Sequence, residues 1–487
     1  GWVDAAIFPP TSAGGYPGRD LVIDNNNITY NIEANEVYKY DPSSSNSWIS
    51  IGDDAHALAL DQSNSLYKVY LEKYYTNNPQ QGVYMVTKVA LKIMKYTGSS
   101  WLPLLPVDTI YSDTAPSNTS NIKLYGVFKI EDFLIDPNNN AYISLMKNEY
   151  ALWAGGYDYS NIIIKKYNIN TNSWNTLPDP DLVKHNYNWI SGPGLFNNWY
   201  ITKDLKTCLD INPINDQLII AGQQANYTLN SSGWYDPVSL IDNVVKEWNG
   251  LTWSLLGSPL PLSNFAHKPG GSFLATNDTD LICAFTSDAH EFSDPYGEDT
   301  LMIYKYNFTT LAWEPLAGGN PDIEMYYVNS ISIDINSYGE PAISFDGVPW
   351  PPYLAMMTGM QVVLKYDNNL HAWDTIASPV DGSLFPLIQE GWYLPIIRFN
   401  SDNQPFINYL EESSALAAYG NTVKLQQGDS SLCGSTVSVP EINIHLAVNT
   451  NKKLIKIIDI LGRETKANKT QPLFYIYEDG TVEKRIV

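Results

Sequence analysis

Six carboxylates stand in or beside the long connecting segments of this 487-residue chain: Glu149, Asp158, Asp236, Asp288, Glu291 and Asp346. Carboxylates of this kind could serve acid–base chemistry on a polysaccharide, where one group gives a proton and another attacks or takes one. Nothing in their spacing selects a pair. The six histidines, His56, His185, His267, His290, His371 and His445, show no HxH or HExxH ligand spacing. His290-Glu291 reads either as a metal or acid–base pair or as part of a solvated loop. There is no G-x-S-x-G elbow, and GPGLFN from Gly192 lacks the third glycine of a dinucleotide loop.

Clustered oxygens in the turns Asp136–Asn140 and Asp334–Glu340 would suit Ca²⁺, which favours oxygen ligands. They lack a D-x-D-x-D-G spacing and recur as hairpin turns, so no cofactor is expected and calcium is the one ion left in consideration. Cys208, Cys283 and Cys433 are too few and scattered for a disulfide framework or a thiolate zinc site, and read as small buried thiols.

Composition narrows the scaffold that must position these groups. Charged residues are only 17 %, while Tyr (34), Trp (14), Gly (31) and Pro (30) are abundant, as in a turn-rich β protein. The net charge of −23 argues against a nucleic-acid partner, since phosphate contacts need a basic face. No run of 18 apolar residues codes a transmembrane segment. The chain opens at Gly1 without a basic-then-apolar leader, which fits a leader already removed or a trimmed chain.

One phrase recurs: an apolar strand, a polar turn, Trp, then a short apolar run. It reads VYKYDPSSSNSWISIG around Trp48 and returns at Trp101, Trp174, Trp253, Trp313 and Trp373. A hairpin phrase alternates with it, an apolar strand, an Asp/Asn-rich turn and a second strand, as in LVIDNNNITYNI from Leu21 and FLIDPNNNAYISL from Phe133. Asn and Asp tolerate the positive φ that tight turns demand, and the period-2 alternation marks strands. Spacings of 53 to 79 residues between successive Trp fit propeller blades of four strands, a to d, with Trp opening strand d.

The hairpin phrase has a seventh copy from Ile396, with no Trp strand after it, while GWVDAAIF opens the chain at Trp2. The expectation is therefore an all-β chain: residues 1–427 a β-propeller of seven four-stranded blades closed by the N-terminal strand, 428–451 a linker, and 452–487 a small β domain. The repeated Trp residues are expected to be buried between blades.

The b–c and d–a connections are long and fall on one face. They carry Trp153, Tyr157, Trp189, Trp199, Trp234, Tyr235, Trp350 and Tyr353, which could stack on sugars or peptide side chains. These eight are the expected ligand-binding residues, with no catalytic residue selected.

At the level of architecture the repeat resembles the kelch/galactose-oxidase-like group of bacterial propellers. It departs from kelch in lacking the double glycine of strand b, and SFDGVPW (Ser344–Trp350) is one residue short of a sialidase Asp box. Residues 452–487 carry 8 Lys/Arg against 5 Asp/Glu, and their pattern, IKIIDILGR, a spacer and PLFYIYEDGTVEKRIV, closely resembles the type A C-terminal sorting domain of the type IX secretion system in Bacteroidota. That resemblance implies partnership with the type IX machinery, export across the outer membrane, and release or attachment at the cell surface. The expected function is binding of an extracellular glycan or surface protein through the long-loop face. The alternatives are a propeller-based polysaccharide lyase or hydrolase, or a structural component of a surface assembly.

Overall fold

In every a–b turn an Asp or Asn side chain accepts a hydrogen bond from the backbone N–H two residues on. Asp24 takes Asn26 N, Asp61 takes Ser63 N, Asp136 takes Asn138 N and Asn212 takes Ile214 N. Asn277, Asn336 and Asn400 take the N–H groups of Thr279, Tyr338 and Asp402. Asn27, Asn64, Asn139 and Asn403 supply the positive φ, between 59° and 62°. The turns are thus specified locally by residue chemistry, before any packing.

The computed structural model describes residues 2–7, 20–33, 35–41, 48–78, 83–112, 127–149, 159–182, 207–224, 227–229, 235–237, 242–261, 272–287, 300–321, 325–349, 358–375, 385–386, 396–412, 421–428, 454–458, 472–477 and 482–486. Within these the turns join antiparallel strands into an all-β propeller. Six blades are each cut from one continuous segment, spanning 21–52, 57–112, 127–176, 208–255, 272–315 and 325–375.

A further four-stranded sheet joins the two ends of this region. Its inner strand is Ile396–Phe399, followed by Pro405–Glu412 and Asn421–Gly428, and the outer strand is Trp2–Ile7, running from Trp2 opposite Gly428 to Ile7 opposite Lys424. The expectation of seven blades is corrected: six blades are each built from one continuous segment, and the residues expected to make a seventh form this composite sheet from the two ends. Among the described residues no strand d follows Gly428, and the outer strand comes from the chain's own start.

The inner strands Leu21–Ile23, Ala57–Leu60, Val127–Ile135, Cys208–Ile211, Ser272–Thr276, Met325–Ile335 and Ile396–Phe399 lie side by side in that order, and the last returns to the first. Hydrophobic packing sits between neighbouring sheets instead of in one central core. Ile219 and Val245 meet Leu274, Leu281 and Phe285, and Ile282 and Ile303 meet Ile331, Phe345 and Val362. Ala342 and Val363 pack on Ile397 and Ile407 at the closing joint.

The recurrent Trp residues staple each sheet to the one before. Indole Nε1 donates to a carbonyl in or just beyond the previous strand d: Trp101 to Ile51 at 2.7 Å, Trp174 to Pro106 at 2.6 Å, Trp253 to Pro178 at 2.8 Å, Trp313 to Leu256 at 2.7 Å and Trp373 to Gly319 at 3.2 Å. An aromatic on strand c lies against each ring, as with Tyr306 and Trp313 at 5.1 Å. Trp48 and Trp313 are buried, but Trp101, Trp174, Trp253 and Trp373 are only half-buried. The expectation of uniformly buried Trp is corrected accordingly, because strand d is the outermost strand and leaves one ring edge wet.

Residues 435–487 form a second compact unit, separate from 1–434. Within it Leu454–Ile458, Pro472–Tyr477 and Val482–Ile486 make a three-stranded antiparallel sheet, with Ile476 opposite Val482.

Candidate functional site

A strand at the inner edge of a blade has backbone N–H groups with no ladder partner. Here aspartates from the neighbouring inner strand cover them. Asp20 takes Leu21 N on one oxygen at 2.9 Å and Leu58 N on the other at 2.7 Å. Asp132 takes Phe133 N at 2.8 Å and Leu209 N at 2.7 Å, and Asp334 takes Ile335 N at 2.9 Å and Phe399 N at 2.6 Å, each with one oxygen per donor. These three carboxylates are fully engaged as staples between inner strands.

Asp210 differs. Its Oδ1 accepts both Ile211 N at 2.8 Å and Thr276 Oγ1 at 2.9 Å. Its Oδ2 accepts nothing among the described residues, so one carboxyl oxygen is left open.

The four carboxylates share one electrostatic neighbourhood with the Cys208 thiol and the Arg398 guanidinium. Burial raises the Asp132 carboxyl to about 6, with the Asp20 charge adding to it and the bond from Leu209 N opposing it. Burial raises Asp210 further, to about 7, against the bonds from Ile211 and Thr276 and with help from the charges of Asp132 and Asp334. Asp334 is also raised by burial, while Arg398 pulls it down. Burial likewise pushes the Cys208 thiol well up, so it is not a nucleophile at neutral pH. Asp132, Asp210, Asp334 and Arg398 are half-buried by surface exposure, as expected for groups lining the inside of a ring. The arrangement can therefore hold a protonated carboxyl with a free oxygen near neutral pH, which is the requirement for a general acid.

Of the ligand-binding residues expected from sequence, Tyr235 lies on the short strand Tyr235–Pro237, opposite Leu229, in the b–c connection of the fourth blade. Trp153, Tyr157, Trp189, Trp199, Trp234, Trp350 and Tyr353 lie outside the described residues. Among the carboxylates, Glu149 ends strand b of the third blade opposite Tyr159, Asp236 sits opposite Thr228, and Asp346 lies on strand b of the sixth blade opposite Ser330 and Gln361. Asp158, Asp288, Glu291 and His290 lie outside the described residues. In the turn Asp136–Asn140, whose oxygens would suit calcium, both oxygens of Asp136 are engaged, with Asn138 N, Asn140 N, Asn140 Nδ2 and Tyr142 Oη.

The inner-strand aspartates lie on strands and not in the long connections, so loop length does not point to them. The signal was present as an acid inside otherwise apolar strands: EDFLID, CLDIN and ISIDIN. A buried carboxylate at an alternating strand position has to be explained by a partner or a task.

No family model matches the chain, and no curated protein matches it. Solved structures similar to it include an α-L-arabinofuranosidase of Fusarium graminearum complexed with arabinobiose, at 12 % identity and TM-score 0.37 over 78 % of this chain and 93 % of that one. A polysaccharide lyase, an ulvan lyase, aligns at 10 % identity and TM-score 0.33 over 85 % and 82 %. A sialidase of Streptococcus pneumoniae aligns at 9 % identity and TM-score 0.38 over 76 % and 67 %. Likeness at this level assigns no activity, and the propeller fold rests on the strand pairing above. Among the described residues no helix is long and apolar enough to cross a membrane.

Proposed function

We propose that the chain is a carbohydrate-active propeller, a polysaccharide hydrolase or lyase that works at the inner ring with Asp210 as proton donor. The observation that carries this is the open Oδ2 of a carboxyl raised to about 7, which can be protonated at neutral pH and still reach a ligand. A sugar polymer is the substrate class that suits a chain whose connections bear Trp and Tyr among Asn and Gly, because aromatic faces stack on sugar rings. The test is incubation with a panel of neutral and acidic polysaccharides, reading new reducing ends and unsaturated sugar ends, for the native chain and Asp210→Asn. Loss of product in the variant supports the reading, whereas no product from any polymer removes it.

A second reading, glycan or protein binding without turnover, is favoured by the eight aromatics of the b–c and d–a connections and would stand if binding occurs without cleavage. We also infer that residues 452–487 address the chain to type IX secretion, so that it acts outside the cell or on its surface. The sorting-domain pattern of the tail supports this, as does its small three-stranded sheet within a unit of its own. Kinship with kelch-like propellers belongs to the same inference and rests on the repeat pattern.

A further inference from the structure

Arg398 is a cation on the inner strand Ile396–Phe399, and its hydrogen bonds are lopsided. Nη1 donates to the carbonyl of Ile397 at 2.8 Å and to Ser332 Oγ at 3.3 Å. Ser332 Oγ is itself held by Ile397 N at 3.2 Å, so one corner of the guanidinium is tethered to two adjacent inner strands. Nη2 and Nε have no partner among the described residues. The obvious partner, Asp334, is spent on Ile335 N and Phe399 N instead, and no ion pair joins Arg398 to any described carboxylate. A planar guanidinium with one corner fixed and the remaining donors unused is pre-set to grip a carboxylate with two parallel bonds.

We propose that Arg398 binds a sugar carboxylate, which makes the inner ring a site for uronate-containing polysaccharides. This rests on the carbohydrate-active reading above and names its substrate class. With Nη2 and Nε unpartnered among the described residues, the guanidinium suits an anionic group better than a neutral one, a local preference that must act against the chain's net charge of −23. Asp20, Asp132, Asp210, Asp334 and Cys208 lie within electrostatic range of one another or of Arg398. Ionised together, they would repel an acidic sugar, but burial keeps Asp132 and Asp210 protonatable near neutral pH and so lowers that repulsion. Affinity for an acidic oligosaccharide is therefore expected to rise as pH falls from about 8 to about 6.

The experiment is titration calorimetry of the full chain with three oligosaccharides, an oligogalacturonate, an oligoalginate and a heparosan fragment, each beside its methyl-esterified form. At least one acid form should bind about tenfold or more tighter than its ester. Arg398→Gln should abolish that preference, so that the acid form binds no tighter than its ester. Arg398→Lys, which keeps the charge but not the fork, should retain only part of it. Equal binding of acid and ester forms to the native chain, or an unchanged preference in a folded Arg398→Gln protein, would overturn the proposal. Either result would leave the carbohydrate-active reading standing if neutral polymers are bound or cleaved, whereas failure with every polymer would remove both.

Discussion

The side-chain amide of Asn27 donates to Oδ2 of Asp402 at 2.7 Å, across 375 residues of chain. Ser401 Oγ donates to Oδ1 of the same Asn27 at 2.9 Å. The first and last a–b turns are thus tied to each other, and the ring is closed at this turn as well as by strand Trp2–Ile7. Asn27→Ala should cost roughly 0.5–1.5 kcal/mol, the range for exposed side-chain hydrogen bonds. Deleting residues 1–7 should lower the thermal midpoint by more, because it bares a sheet edge. A deletion variant that melts with the native chain would show that the terminal strand does not hold the ring.

Trp313 is the recurrent Trp whose environment is most fully defined. Its ring is buried, its Nε1 bonds Leu256 O, and Gly257 lies against it at φ +76°. A Cβ on Gly257 would fall 2.8 Å from Trp313 Cδ1. Trp313→Ala should cost about 3–5 kcal/mol as a large truncation. Trp313→Phe should cost less but still leave the Leu256 carbonyl without its donor. Gly257→Ala should destabilise through both the clash and the left-handed backbone. Denaturant midpoints for the three variants check this ordering.

The ring aspartates predict a pH dependence with a definite sign. Asp210 has an ordinary value of 3.8 and is raised to about 7 on folding, so the native state holds a proton that the unfolded chain has released. The resulting stability is full below about pH 4 and is lost as pH rises through about 7. Asp210→Asn keeps the acceptor at Oδ1 for Ile211 N and Thr276 Oγ1 while removing the charge. It should therefore stabilise the fold at about pH 8, on the order of 1–3 kcal/mol, and change little near pH 4. Asp132→Asn should not match that gain, since both Asp132 oxygens accept backbone N–H groups and an amide can serve only one. Unfolding curves at the two pH values separate these outcomes.

Much of this architecture was legible in the sequence because it is written locally and repeated. The Asx residue of each a–b turn, the positive-φ Asn that follows it in four of them and the Trp of strand d are each set by one or two neighbouring side chains. The donation of Trp2–Ile7 to the far end was legible too, as a missing strand at one terminus and an extra one at the other. The inner-ring chemistry was not, because Asp132 and Leu209, or Asp210 and Thr276, meet only when blades close around a common axis. The difference between Asp210, with one oxygen open, and Asp132, with both engaged, depends on which atom of the neighbouring strand each one reaches, and no pattern along a single strand encodes that.

The tail carries its own prediction. Fused to an unrelated periplasmic protein in a host with type IX secretion, residues 435–487 should bring that protein to the medium or the cell surface. Immunoblots of periplasm, surface and medium decide the matter, and retention of the fusion in the periplasm would count against an export role.

The most direct test of the central claim is the rate at which native protein and Asp210→Asn release reducing or unsaturated ends from a polysaccharide panel across about pH 5 to 9. Native activity should decline as pH rises through about 7, and Asp210→Asn, although folded and more stable at high pH, should be slower by about 10²–10⁴-fold, the usual contribution of a general acid. An Asp210→Asn protein that cleaves the same polymer at the native rate would contradict the assignment.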